Sequence, residues 1–94
     1  MSDSITKYNE REIEQNLPEW FLGNLYSTGG KVRNPKTGDS FWLTNIELSL
    51  YDYYKGLRYI MEVRGYDEAF AADIVKLEKW FKSNNRNAYN ILIK

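Results

Sequence analysis

Thr44-Asn45-Ile46-Glu47-Leu48-Ser49-Leu50-Tyr51-Asp52-Tyr53-Tyr54-Lys55-Gly56-Leu57-Arg58-Tyr59-Ile60-Met61-Glu62-Val63-Arg64 is the stretch on which the fold turns. It reads as one helix of five to six turns at about 3.6 residues per turn. One apolar stripe runs Ile46, Leu50, Tyr53, Leu57, Ile60, the spacing of a buried helix face. A second runs Leu48, Tyr51, Tyr59, Val63 on a neighbouring face. A helix apolar over more than half its circumference needs cover from two sides, so this one is expected at the centre. Thr44 is a good N-cap, and Glu47 three residues later completes a capping box. Gly56 in mid-helix costs about 1 kcal/mol relative to Ala. Close approach of another segment explains it more readily than room for a ligand.

Downstream, Gly65 is placed as a left-handed C-terminal cap and Asp67 as the N-cap of a second helix. Glu68 sits in its first turn, where the helix dipole favours acid. Phe70, Ile74, Leu77 and Phe81 form its stripe, and Ala71 and Ala72 permit close packing. With so short a connection the two helices form an antiparallel hairpin. Ser83 to Asn87 interrupts the pattern, with Ser83 or Asn84 as a possible cap. Alternation of Tyr89, Ile91 and Ile93 suits a strand, whereas Ala88, Ile91 and Leu92 suit a helix face; a short helix is preferred.

Upstream, Lys31-Val32-Arg33 and Ser40-Phe41-Trp42-Leu43 read as strands flanking Asn34-Pro35-Lys36-Thr37-Gly38-Asp39. Asn-Pro begins a type I turn, and Gly38 supplies the positive φ that closes it. An isolated hairpin is marginal in water, so this one lies on the helices, with Phe41 and Leu43 on one face and Trp42 on the other. Pro18 ends any preceding helix and starts a turn that carries Trp20, Phe21 and Leu25 inward. Ser4 to Gln15 has only the thin face Ile5, Tyr8, Glu12 and is expected to be a solvated helix or an arm. The expected architecture is α+β and mainly helical. A β-hairpin at about 31–43 is followed by an antiparallel helix pair at about 45–64 and 67–82 and a short C-terminal helix. Residues 1–16 form the arm and 17–94 a single globular domain.

The chain from Leu17 onward resembles a type of small uncharacterised protein encoded by marine tailed bacteriophages. The likeness lies in Leu17-Pro18-Glu19-Trp20-Phe21, in Gly30 through Asn34-Pro35-Lys36-Thr37-Gly38, and in Leu43 through Asp52 with Gly56. Trp80-Phe81, Asn84 and Ala88-Tyr89 are similar as well. The chain departs from that type at Asn85-Arg86, where Asn-Pro is usual. The resemblance implies work in the cytoplasm of an infected bacterial cell, or a place in the virion. It implies no settled activity and carries over no catalytic residue.

Composition bounds the function further. The 94 residues include no Cys and no His, which excludes a Ser-His-Asp triad, a thiolate nucleophile and a typical zinc site. The acids Asp52, Glu62, Asp67 and Asp73 are spaced for a helix surface, and Gly29-Gly30-Lys31 lacks the second half of a phosphate-binding loop. No enzyme activity, cofactor or metal is expected. The start, Met1 to Gln15, does not read as a signal peptide. No apolar run approaches the roughly 20 residues that span a bilayer, so no membrane partner is expected.

Two binding functions remain. Aromatics make up 16% of the chain, with eight Tyr, and such side chains anchor protein interfaces. Trp20, Trp42 and Tyr8 are the candidate anchors for a host or phage protein or for a second copy of the chain. The alternative is low-specificity nucleic-acid binding. The formal net charge is zero, but residues 21–43 hold three bases against one acid and residues 79–94 four bases and no acid. Lys31, Arg33 and Lys36 on the hairpin, beside Trp42, and Lys79, Lys82 and Arg86 at the C-terminal turn would track phosphates. A pI near 6.3 is low for that function.

Overall fold

Thr44 caps the central helix as its sequence requires. In the computed structural model, which describes residues 17–21 and 23–94, its hydroxyl accepts the Glu47 N–H at 3.1 Å. The Glu47 carboxylate in return accepts the Thr44 N–H at 2.9 Å. The helix, α1, runs Asn45–Arg64. Gly65 ends it at φ 97°, ψ 174°, donating its N–H to the Met61 carbonyl. The positive φ is the glycine-favoured one, though the residue is extended and not left-handed helical. Asp67 accepts the Phe70 N–H at 2.9 Å and opens α2, Glu68–Asn84.

The hairpin pairs β1, Gly30–Arg33, with β2, Ser40–Leu43, antiparallel. Lys31 stands opposite Trp42 and Val32 opposite Phe41. Gly38, at φ 83°, closes the turn, and its N–H reaches the Asn34 carbonyl at 2.7 Å. The alternation is that of a one-sided ribbon. Leu43 is completely buried, while Trp42 keeps 39% of its surface.

The C-terminal residues are helical. A single turn, Arg86–Ala88, widens into a π turn, Tyr89–Ile93, closed by the Lys94 N–H to the Tyr89 carbonyl at 2.8 Å. The cap is Asn85, not Ser83 or Asn84, with its side chain accepting the Ala88 N–H at 3.1 Å. The helix pair, the hairpin and the short C-terminal helix together make a small α+β domain.

Phe81, Leu77, Leu50 and Leu43 are the fully buried apolar centre, each contributing about 1.5–3 kcal/mol by leaving water. The hairpin packs on α1 and on the C-terminal turn. Residues 17–21 and 23–29 cross the other side as a strap. Trp20 lies near Lys76 of α2, Phe21 meets Tyr53 edge to face at 5.3 Å, and the Tyr26 N–H donates to the Ser49 hydroxyl at 2.8 Å. The expected helix at Ser4 to Gln15, the arm at 1–16 and the anchor Tyr8 lie outside the described residues.

Several expectations need correction. The buried stripe of α1 is phased on Glu47, Leu50, Tyr54 and Leu57, and Tyr54 retains only 3% exposure. Tyr59, Ile60 and Val63 are exposed. The hairpin, the strap and the C-terminal helix all gather near the start of α1 and the end of α2. Among the described residues, the groove at the far end of the pair is lined by the two helices and by Lys36 of the hairpin turn. Leu25, expected inward, is 52% exposed; the strap is held there by the Tyr26 N–H donating to Ser49 and the Asn45 amide donating to the Tyr26 carbonyl. No described segment approaches Gly56: a Cβ there would meet no heavy atom of the described residues within 4 Å.

Candidate binding surface

The strap lies on one face of α1, and the hairpin turn and the C-terminal helix share another. On the strap side, the Tyr26 hydroxyl donates to Asp52 at 2.7 Å and the Asn45 amide donates to the Tyr26 carbonyl at 3.2 Å. The hydrogen bond to Asp52, and then its charge, raise the Tyr26 pKa above its ordinary value. Gly56 opens onto a cleft of about 260 Å³ beneath this strap.

The two tryptophans sit on separate supports. Trp20 is half-buried against the core, with the Lys76 ammonium 6.0 Å from its ring centre. Trp42 is on the outward face of the hairpin, with Lys31 as its cross-strand neighbour. The basic side chains singled out for phosphate are all exposed but spread over four parts of the chain. Lys31 and Arg33 are on β1, Lys36 is in the turn, Lys79 and Lys82 are on α2, and Arg86 follows the cap Asn85. Lys82 lies over the Tyr89 ring at 4.9 Å. Of the six, Lys36 lines a cleft with other cations.

Those other cations escaped the sequence reading. Lys36, Lys55, Arg58 and Lys94 line one cleft of about 320 Å³ with Tyr51 and Tyr54. The signal was Tyr51, Tyr54, Lys55 and Arg58 at i, i+3, i+4, i+7 on one helix face. The acidic balance of residues 44–78 concealed it. Burial raises the pKa of both tyrosines, and for Tyr54 the nearby Arg58 partly offsets this. Arg58 donates to the Tyr54 hydroxyl at 3.4 Å and lies 5.7 Å from its ring centre.

Past Lys55 and Arg58 the surface continues into an open groove of about 860 Å³ at the uncovered end of the helix pair. Its floor is Tyr59, Met61, Tyr66, Ala71, Ile74 and Val75. Tyr59, Tyr66 and Val75 keep 66%, 78% and 47% of their surface. Its rim carries Lys36, Lys55 and Arg58 against the single acid Glu62.

Under the hairpin a buried polar group ties the ends of the helices together. Glu47, with no exposed surface, accepts the Asn85 amide at 2.8 Å in addition to the Thr44 N–H. No group of three or more acidic side chains among the described residues is arranged to hold a metal ion. No helix among them is long and apolar enough to cross a membrane. Compared with known proteins, the chain matches no family model, no curated sequence and no solved structure.

Proposed function

We propose that this chain is a small accessory protein of phage type that acts in the host cytoplasm by binding a protein, without catalysis. The observation that carries the reading is the apolar groove at the open end of the helix pair. Tyr59, Tyr66 and Val75 are large, solvent-facing and contiguous with Met61 and Ile74. Such a patch with a polar rim is the anatomy of a docking surface. Three cations against one acid on the rim select an acidic partner segment. The opening sixteen residues of a second copy have the right sign, with Asp3, Glu10, Glu12 and Glu14 against Lys7 and Arg11.

The test compares the wild-type chain with a Tyr59→Ser/Tyr66→Ser variant as bait in infected-cell lysate, alongside sedimentation of each alone. A partner, or a self-associated species, that is present for the wild type and lost in the variant supports the reading. Equal capture by both baits, or a monomeric wild type that retains no protein, overturns it.

Nucleic-acid binding is the second reading, and the pairing of Lys31 with Trp42 on the outward hairpin face favours it. A cation beside an aromatic ring suits an unpaired base and its phosphate. A low-salt gel shift with single-stranded DNA, reduced by Trp42→Ala, is the outcome that supports it.

A further inference from the structure

We propose that the cleft between the hairpin turn, the central helix and the C-terminal residues is a binding site for a phosphate-bearing anion. Four basic side chains from three parts of the chain line it: Lys36 of the turn, Lys55 and Arg58 of α1, and Lys94. No acidic side chain lines it. Among the described residues none of the four has an ion pair, and the pair seen there, Lys76 with Asp73, is elsewhere. Like charges gathered on one cleft repel one another, and a multiply charged anion reverses that repulsion.

The cations are also positioned. Asn34 accepts the Lys36 N–H at 2.9 Å while its amide donates to the Ile91 carbonyl at 2.9 Å. That clamp fixes the turn to the C-terminal helix, so Lys36 and Lys94 line the same cleft. Lys55 and Arg58 are three residues apart on one helix, which puts them on one side. Tyr54 holds the guanidinium through its hydroxyl and its ring. A guanidinium fork with ammonium point charges around it suits the tetrahedral oxygens of phosphate. The volume, about 320 Å³, admits more than a bare phosphate. The chemistry is therefore that of a phosphate ester, either a free nucleotide or the phosphates of a single strand.

The full chain is titrated by calorimetry at low salt with pyrophosphate, with AMP and with a short oligothymidylate, and melted in the presence of each. Binding with a rise in melting temperature is expected. Lys55→Gln/Arg58→Gln weakens it by about tenfold or more. Lys79→Gln/Lys82→Gln removes the same charge from α2 and changes affinity by less than about twofold. All four side chains are exposed, so both variants keep the fold. Tighter binding of AMP assigns the site to a free nucleotide, and tighter binding of the oligomer assigns it to a strand. Absence of heat and of any melting shift with all three ligands overturns the proposal, and so does an equal loss in the two double variants. Pyrophosphate does not need the apolar groove, so Tyr59→Ser/Tyr66→Ser leaves this binding intact, and the two tests fail independently.

Discussion

Gly56 lies in mid-helix with open space where its side chain would be. A helix interior penalises glycine through backbone entropy and rewards it only where something must come close. Gly56→Ala is therefore expected to stabilise the protein by about 1 kcal/mol. This shows as a melting temperature about 4–8 °C higher; a fall in melting temperature contradicts the assignment. Tyr51 and Tyr54 give a second outcome at this scale. Burial raises both above the ordinary 10.0. Above about pH 10 the unfolded chain has released phenolic protons that the folded chain still holds. The stability contributed is complete below that pH and declines as pH rises through the folded values. Urea midpoints measured at about pH 9 and about pH 11 should fall between the two, and a flat profile refutes the burial of these rings.

The elements themselves were largely legible, because their boundaries are written in local chemistry. The capping box of Thr44 and Glu47, the cap Asp67, and Gly38 and Gly65 at positive φ act through residues a few positions apart. What local pattern misplaced was the phase of α1. Its buried stripe begins with a carboxylate, so a search for apolar spacing passed over Glu47 and centred one turn-edge away, on Tyr53 and Ile60. The partner that makes this burial tolerable, Asn85, is 38 residues distant, beyond the reach of any periodicity. Glu47→Ala removes the side-chain half of the capping box and leaves the Asn85 amide and the Thr44 N–H buried with one acceptor fewer. A loss of about 3 kcal/mol or more is expected from the denaturant midpoint, against less than about 0.5 kcal/mol for the exposed Glu62→Ala.

For the molecule as a whole, the cover over α1 is unequal. The hairpin, the strap and the C-terminal turn leave the other end of the helix pair with side chains that stability does not require. Replacing Tyr59 and Tyr66 with Ser should change the melting free energy by less than about 0.5 kcal/mol each. A large loss would mean that those rings belong to the core. The candidate surfaces were legible only in their parts. The sequence displays Lys36, Lys55, Arg58 and Lys94 as scattered charges, and tertiary folding brings them to one cleft. The tryptophans it emphasised sit on separate supports, because large aromatics fill gaps beside the core as readily as they anchor a partner.

The bond from Asn34 to the Ile91 carbonyl spans 57 positions. On a translating ribosome the hairpin emerges before its clamp, because Ile91 is made 57 residues after Asn34. The ribbon therefore waits in an unlatched form during synthesis, and the cleft it helps to wall is assembled last.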